Sequence, residues 1–217
     1  MTKSRGRYKP RDKDETMAML LKAVGDILRE EGYQGLGVNK VAARAGVHKK
    51  NIYNYFGTYN ELLKAYIKSK DFWTPVFEKF QLSDSPVGDE LQDFIICIFQ
   101  EQFKYFFSEP EMQAFIHWQV SESNSVLRQV SEEREFEGAK IAALAVPHFK
   151  GSGYSLRATL ALILGGIHYV VWHADKNKSV VCGLDINIEE HREELIETIS
   201  DIIALMWEAA GKRKKDN

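Results

Sequence analysis

The sequence has few cysteines, few prolines and almost no net charge. Its 217 residues include two cysteines and five prolines, and the formal net charge is −2. Cys97 and Cys182 lie far apart, which excludes a disulfide framework and suits the reducing cytoplasm. The longest apolar run, residues 158–172, is too short to span a bilayer, and the N-terminus lacks the apolar segment of a secretory signal. We therefore expect a cytoplasmic protein with no membrane partner.

Motifs for catalysis are also missing. The sequence contains no G-x-S-x-G motif and no P-loop, and the glycines of residues 32–37 run in the wrong order for a dinucleotide site. His168 and His173 are five residues apart, which does not place them on one helix face. The sequence thus predicts no enzyme, no cofactor and no metal site. An enzyme of unrecognised type is the alternative that these absences leave open.

What the chain does have is an uneven distribution of charge. Residues 1–70 carry 15 Lys and Arg against 7 Asp and Glu, whereas residues 71–217 carry 14 against 24. A basic N-terminal third joined to an acidic remainder is typical of a nucleic-acid-binding module fused to a second unit. With 44% hydrophobic and 28% charged residues, the composition is that of an ordinary globular protein of one large or two smaller domains.

Three helices are predicted within the basic region. Apolar residues at helical spacing predict a helix over residues 14–31, which Gly32 ends. A second helix is predicted over 38–45, ending at Gly46, and a third over 48–56. Two short helices separated by a tight turn that contains glycine form a helix-turn-helix, whose second helix enters the DNA major groove.

The third of these helices has an apolar side and a polar side. Ile52 and Phe56 are four residues apart and should pack inward. Lysine can bond to guanine, asparagine can pair with adenine, and tyrosine hydroxyls can hold phosphates. The polar side that would make such contacts consists of Lys49, Lys50, Asn51, Asn54 and Tyr55.

The segment GVNKVAARAGVHKKNIYNYFGTYNELL, residues 37–63, resembles the DNA-binding domain of the TetR family of bacterial transcriptional regulators. The likeness rests on A-x-x-A-G-V, on I-Y-x-Y-F and on the x-E-L-L that opens the next helix. The resemblance implies that Tyr53 and Tyr55 hold phosphates. It implies base-reading roles for Asn39, Lys49, Lys50, Asn51 and Asn54.

Three positions depart from the family's pattern. Gly37 replaces the usual Thr or Ser before the second helix and is a weaker helix cap. His48 replaces the usual Ser that opens the third helix. Tyr59 replaces the usual Lys at the start of the fourth helix, so a phosphate contact is either lost or made by the Tyr59 hydroxyl. Tyr59 completes the predicted DNA-binding set.

The rest of the chain is predicted to be helical, with about nine helices in all and no strand. A fourth helix should run over 59–70, with Thr58 as its N-cap. Later helices are expected over residues 91–106, 110–122, 126–146, 156–174 and 188–210. The predicted division is a flexible basic arm (1–13), a helix-turn-helix domain (14–58), a larger helical effector-binding and dimerisation domain (59–211) and a tail (212–217). The arm would either lie along DNA or be a solvated tail.

The helix predicted over 156–174 is apolar nearly all round, so it must be covered on more than one side. Gly165 and Gly166 would allow another backbone to approach it. The resemblance implies that the last two long helices pair with a second copy across a twofold axis; the alternative is a helix central to a monomer's core. The expected interface residues are Leu160, Leu164, Ile167, Val171, Leu195, Ile199, Ile202 and Met206.

Aromatic residues are frequent in the same region. The resemblance implies a small-molecule effector pocket there, which would suit an apolar or aromatic ligand, although an aromatic stripe at helical spacing is also typical of plain core. The residues expected to line the pocket are Phe72, Trp73, Phe99, Phe103, Phe106 and Trp118.

These expectations combine into a dimeric, ligand-responsive bacterial regulator, a repressor that binds a pseudo-palindromic operator in double-stranded DNA. The alternative is a DNA-binding helical protein that is controlled by a protein partner and takes no small-molecule effector. An open cavity among the aromatic side chains would favour the first interpretation, and a filled core would favour the second.

Overall fold

The computed structural model describes residues 13–81 and 86–215, and these residues form an all-α protein, as predicted. Within these ranges no strand is present; an isolated bridge joins Val181 and Leu184. The predicted basic arm lies, apart from Lys13, outside the described residues. The α-helices are α1 (Lys13–Glu31), α2 (Val38–Arg44), α3 (Lys50–Phe56), α4 (Tyr59–Ser69), α5 (Trp73–Gln81), α6 (Gly88–Ser108), α7 (Pro110–Ser121), α8 (Ser125–Phe149), α9 (Leu156–Trp172) and α10 (Glu189–Lys215).

Helices α1 to α3 form the N-terminal unit, residues 13–56. The apolar stripe of α1 is buried at Leu20 and Leu28, and Ile52 of α3 is fully buried against it. Gly32 ends α1 with a φ of 70°, a left-handed conformation that glycine adopts without steric cost. We call the apolar side chains packed around this unit the N-terminal cluster.

Helix α4 links the N-terminal unit to the remainder of the chain. Thr58 caps its start, as predicted, because the hydroxyl of Thr58 accepts a hydrogen bond from the N–H of Glu61 at 3.1 Å. The inner side of α4, with Leu62 and Ile67, is buried in the N-terminal cluster. The position of α4 is therefore tied to that of α1.

Helices α5 to α10 form the body, residues 73–215. The long helix α6 packs against α9 and α10 around a second group of apolar side chains, the body cluster. Phe103 and Phe106 of α6 and Ile203 of α10 are at most 1% exposed in it. Removing such large apolar side chains from water is the main force that holds helices together.

Helix α8 is shared by the two clusters. Val126 and Val130 near its start belong to the N-terminal cluster, whereas Ile141 and Phe149 near its end belong to the body cluster. A helix of 25 residues is roughly 37 Å long at 1.5 Å per residue. The predicted domain boundary between residues 58 and 59 lies between α3 and α4. The apolar packing is not divided there, because α4 and the start of α8 also contribute to the N-terminal cluster.

The described residues contain ten α-helices where about nine were predicted, because α5 was not foreseen. Its sequence, WTPVFEKFQ, has a proline in the first turn, where the missing N–H is tolerated. Asp71 provides the start signal, since its carboxylate accepts hydrogen bonds from the N–H and the hydroxyl of Thr74 at 2.9 and 2.8 Å. This cap was not recognised in the sequence.

Two helices extend three or more residues beyond their predicted ends. Helix α8 continues through Pro147 to Phe149 instead of ending at residue 146. A proline removes one backbone hydrogen bond, and the burial of Phe149 in the body cluster outweighs that loss near the end of a helix. Helix α10 continues to Lys215, past the predicted end at residue 210 and into the predicted tail.

One segment of the described residues, Leu156–Asn177, is long and apolar enough to cross a membrane by length and composition alone, with a mean hydropathy of 1.2. The core helix of a soluble protein meets the same criteria, so this length and composition do not identify a membrane span. Only 22% of the apolar window is buried in the monomer, since side chains such as Leu162 and Tyr169 face outward. The segment thus presents an apolar surface that is open to a partner.

Candidate nucleic-acid interface

A tight turn sets the angle between α2 and α3. Ala42 and Ala45 are buried, and their small side chains let neighbouring helices approach closely. Gly46 has a φ of 63°, which would strain a residue with a Cβ. The N–H of Val47 then donates to the carbonyl oxygen of Ala42 at 3.0 Å. The turn directs α3 along the surface of the N-terminal unit.

His48 caps the start of α3. The helix begins at Lys50, two residues later than predicted, and the N–H of Lys50 donates to the Nδ1 atom of His48 at 3.1 Å. An acceptor for the free N–H groups is what a helix N-terminus needs. The imidazole therefore supplies an acceptor at the start of α3, a role that was not predicted from the sequence.

One side of α3 is anchored and the other is exposed. Ile52 has no exposed surface and fixes the helix against the N-terminal cluster. Lys50, Tyr53 and Asn54 share the outward face, because residues three and four apart lie together on a helix. Of the predicted contact residues, Asn39, Lys49, Lys50, Tyr53 and Asn54 are exposed, whereas Asn51 and Tyr55 are half-buried.

The basic side chains of α2 form ion pairs within the protein, whereas those at the start of α3 do not. Lys40 and Arg44 of α2 form ion pairs with the carboxylates of Glu30 and Glu31, with an Arg44–Glu30 distance of 2.7 Å. Lys49 and Lys50, by contrast, form no ion pair with any described residue. The uncompensated positive charge of this surface therefore lies at the start of α3, where it can meet phosphates or bases.

Tyr59 does not present its hydroxyl to solvent, which corrects the predicted phosphate contact. The hydroxyl oxygen is buried and has no hydrogen-bond partner among the described residues. Burial raises the pKa of Tyr59 to about 12. The ring packs against the N-terminal cluster, so the apolar environment at the start of α4 turns the side chain inward. Tyr59 is a packing residue in this conformation.

Comparison with known families agrees with this geometry. Residues 20–66, which span most of α1 to α4, match the model of the family described as bacterial regulatory proteins, tetR family. The N-terminal part of the chain is thus similar to the TetR family of transcriptional regulators. Among curated proteins, none matches the sequence significantly.

Solved structures of TetR-family and related regulators share the fold over most of the chain. FadR from Bacillus subtilis, solved in complex with stearoyl-CoA, has a TM-score of 0.59 and 18% identity, with 87% of this chain and 96% of that chain covered. NalD from Pseudomonas aeruginosa, the secondary repressor of the MexAB-OprM multidrug efflux pump, has a TM-score of 0.60, 17% identity and coverages of 87% and 95%. A TetR family regulator from Marinobacter aquaeolei has a TM-score of 0.57, 19% identity and the same coverages.

The predicted dimer residues fall on two different sides of α9 and α10. Ile167, Val171 and Ile199 are at most 6% exposed in the monomer, so they belong to the body cluster and not to an open surface. This corrects their predicted role, since apolar spacing alone does not distinguish the two sides of an apolar helix. Leu160, Leu164, Leu195 and Met206 are half-buried, and Ile202 is exposed.

Other apolar residues of α9 and α10 are exposed in the monomer. Leu162 is 78% exposed, Tyr169 is 57% exposed and Leu205 is 64% exposed. Gly165 and Gly166 lie between the first two and are also exposed. The spacing of residues 162, 165, 166 and 169 is that of one helix face, a signal that could have been found in the sequence.

Five of the six predicted effector residues lie in or against the body cluster, and the sixth does not. Trp118 belongs to the N-terminal cluster, where its ring stacks on Tyr33 with 5.3 Å between centroids. This corrects its predicted place in a pocket with the others. The remaining five are Phe72, Trp73, Phe99, Phe103 and Phe106.

These aromatic rings pack on one another. Trp73 lies 6.0 Å from Phe99 edge to face, and Phe106 lies 4.5 Å from His168, measured between ring centroids. Burial, with a smaller contribution from the charge of Arg134, lowers the pKa of His168 to about 4. The histidine is therefore neutral at pH 7 and behaves as part of the aromatic core.

None of the six predicted effector residues lines either of two open clefts on the body. A cleft of about 540 Å³ between α4, α5 and α8 is lined in part by Phe77 and by the ion pair of Asp71 and Arg134. A second, of about 560 Å³, lies between α6 and α10 and includes Gln92 and Trp207. The predicted aromatic residues are thus brought together as packed core in this conformation.

Proposed function

We propose that the chain is a TetR-family regulator that binds a pseudo-palindromic DNA operator as a homodimer, with α3 of each copy in a major groove. The observation that carries the proposal is the face of α3. The side chains of Lys49, Lys50 and Asn54 are exposed at the start and on the outer side of α3 and bond to no described residue, and Ile52 anchors the helix behind them. Polar groups that are free in the protein and rigidly supported are suited to reading base edges. Residues 14–58 would form the DNA-binding domain, and 59–211 the controlling domain.

A second copy is needed because one short helix reaches only a few base pairs. Helix α3 has seven residues, and a twofold dimer can place two such helices about 34–36 Å apart, one turn of DNA. The exposed apolar face of α9, with Leu162 and Tyr169, supports dimerisation through this helix, and Leu205 of α10 is exposed as well. A contiguous exposed apolar patch is typical of a protein interface.

The regulator is proposed to act as a repressor that an apolar or aromatic effector releases from DNA. Support comes from the aromatic composition of the body cluster and from FadR of Bacillus subtilis, a protein of the same fold solved with stearoyl-CoA. Effector binding would favour a body conformation in which α4 holds the two α3 helices at the wrong separation. A coupling of about 1–3 kcal/mol is typical of such switches.

The test is selection from random duplex DNA at physiological salt, with the oligomeric state followed by light scattering. Enrichment of an inverted repeat that is bound by dimers is the expected result. Binding that is only salt-sensitive and shows no enriched sequence would refute the operator proposal. An enriched single half-site bound by monomers would refute the dimer and retain the sequence-reading role.

A second candidate function is a regulator controlled by a protein partner without a small molecule. The aromatic rings of the body favour it, because several of the predicted pocket residues are buried and contact other rings in this conformation. Thermal unfolding with a panel of fatty acyl-CoA and aromatic ligands separates the two. A ligand that raises the melting temperature and weakens operator binding supports the sensor; stabilisation without any effect on operator binding argues against it.

A further inference from the structure

A buried carboxylate of the body contacts the two helices that flank the DNA-binding surface. Glu111, in the first turn of α7, is only 5% exposed. It accepts hydrogen bonds from the guanidinium of Arg29 in α1 and from the hydroxyl of Tyr66 in α4. Lys70, directly after α4, pairs with it at 3.2 Å. The carboxylate of Glu111 thus contacts three donor groups, one from α1, one from α4 and one from the residue that follows α4.

Helix α1 lacks a side chain where Tyr66 passes it. Gly25 is buried in the middle of α1, where a glycine costs about 1 kcal/mol of helix stability relative to alanine. A Cβ at Gly25 would collide with the Tyr66 hydroxyl. Gly25 therefore allows the close approach through which Tyr66 reaches Glu111.

Glu111 is ionised at neutral pH. Burial alone would raise the pKa of its carboxyl, but hydrogen bonds from Tyr66 and Lys70 and the charges of Lys70 and Arg29 outweigh burial and hold the pKa below its usual value. Burial and the hydrogen bond to Glu111 raise the pKa of Tyr66, so its hydroxyl stays a donor. A buried charge with several donors resists displacement, because losing any of them leaves it poorly compensated.

Helix α7, which carries Glu111, also contacts both clusters. On one side Trp118 stacks on Tyr33 of the N-terminal unit. On the other, the side-chain amide of Gln113 donates to the carbonyl oxygen of Phe106 at 2.8 Å. A displacement of α7 relative to α6 would therefore move Glu111 and the helices bonded to it.

We propose that Glu111 is a positioning residue for DNA reading. Its ionised carboxylate holds α1 and α4 in one arrangement against α7, and so holds the two α3 helices of a dimer at the separation that an operator requires. This inference rests on the proposed function, because it concerns how the same DNA-binding surface is held. Losing the carboxylate leaves each α3 helix intact, so sequence-specific binding falls while non-specific binding stays.

Energetic coupling between Arg29 and Tyr66 tests this role. The two residues lie on different helices, and both bond to Glu111. Operator affinity is measured for Arg29→Gln, Tyr66→Phe and the double variant, first with Glu111 present and then with Glu111→Gln. We expect the two substitutions to be non-additive by about threefold or more when Glu111 is present, and additive when it is glutamine. Additivity in both backgrounds would overturn the proposal.

Glu133→Gln is the matched control. Glu133 of α8 also pairs with two lysines of α4, Lys64 at 2.6 Å and Lys68 at 2.7 Å. Its side chain is 40% exposed, however, and among the described residues it forms ion pairs with α4 alone. We expect Glu111→Gln to weaken operator binding about tenfold or more and Glu133→Gln less than about threefold. Neither should change affinity for a duplex without the operator. Equal losses in the two variants would contradict a specific role for Glu111.

Amide hydrogen exchange of the protein without DNA tests the role of Glu111 even if no operator is known. If selection finds no operator, the proposed function has failed, and exchange then reports on Glu111 alone. Glu111→Gln should speed amide exchange in α1 and α4 and leave α9 and α10 unchanged, because only the first two are bonded to the carboxylate. A uniform increase in all four helices, or no change in any, would overturn the positioning role.

Discussion

The surface of α3 and the aromatic core of the body differ in what their side chains contact. On α3, the side chains of Lys50 and Asn54 are exposed and bond to no described residue. In the body cluster, Phe103 and Phe106 are almost completely buried and pack on neighbouring rings. Substitutions on the first surface should therefore change binding with little effect on stability, and substitutions in the core should do the reverse.

The largest effect is expected from Phe106→Ala. Phe106 has no exposed surface and packs against His168 and Trp172, so truncation should lower the free energy of unfolding by about 3–5 kcal/mol. Urea unfolding measures this change. Phe136→Ala, at a phenylalanine that is 67% exposed, is the control and should be almost neutral. Equal losses in the two variants would show that Phe106 is not part of a well-packed core.

Leu162→Glu should dissociate the proposed dimer. Leu162 is 78% exposed on α9 in the monomer, and an unpaired charge buried in an interface costs several kcal/mol, so about a hundredfold or greater loss of dimer affinity is expected. Sedimentation velocity measures it, and specific DNA binding should fall with it. Val146→Glu makes the same change at an exposed site of α8. A dimeric Leu162→Glu variant would remove this side of α9 from the interface.

His168 should make the body less stable in acid. Its pKa of about 4 in the folded state is below the value of about 6.5 expected when unfolded. The unfolded state therefore binds the proton more readily, and stability should fall by up to about 3 kcal/mol as the pH drops from 6.5 to 4. His168→Gln should flatten that slope in urea titrations. An unchanged slope in His168→Gln would assign the acid sensitivity to other groups.

Lys49→Ala and Asn54→Ala should each weaken specific DNA binding by about 1–3 kcal/mol without lowering the melting temperature. Both side chains are exposed beside a buried anchor. Binding to the selected operator and to an unrelated duplex should be measured at one salt concentration. Lys104→Ala removes an equal charge from an exposed site of α6 and should leave both affinities unchanged. If neither variant alters affinity or sequence preference, the DNA-reading face lies elsewhere.

The smallest effect is expected at the cap of α3. His48→Ala removes the acceptor of the Lys50 N–H and should cost about 1 kcal/mol. His48→Ser should retain most of that stability, because a hydroxyl can accept the same bond. Thermal unfolding of the two variants gives the difference. If His48→Ala is as stable as His48→Ser, the hydrogen bond between the Lys50 N–H and the imidazole does not contribute to stability.

The helices of the N-terminal unit were predicted closely from the sequence, because the features that set their bounds act between residues that are near in the chain. The stripe of α1, the left-handed glycines at 32 and 46 and the Thr58 cap each act within a few residues. Their effect is readable before any tertiary contact is known. The exposed polar side of α3 followed from the same periodicity, once Ile52 was identified as its anchor.

The features that were not predicted depend on contacts between residues that are far apart in the chain. The inward turn of Tyr59, the burial of Ile167 and Val171, and the place of Trp118 are each decided by the helix that packs against them. Apolar spacing gives the same signal on every side of α9. Glu111 had no distinguishing local pattern, since its role comes from Arg29, 82 positions earlier in the chain.

Because α7 and α8 contribute to the N-terminal cluster, synthesis of the chain sets when that cluster can be completed. Phe115, Trp118, Val126 and Val130 all belong to it. A nascent or prematurely terminated chain that ends before them lacks part of the apolar support for α1 and α4. Such a fragment would not hold α3 in a fixed orientation, so we expect incomplete products of translation not to compete with the finished regulator for its DNA.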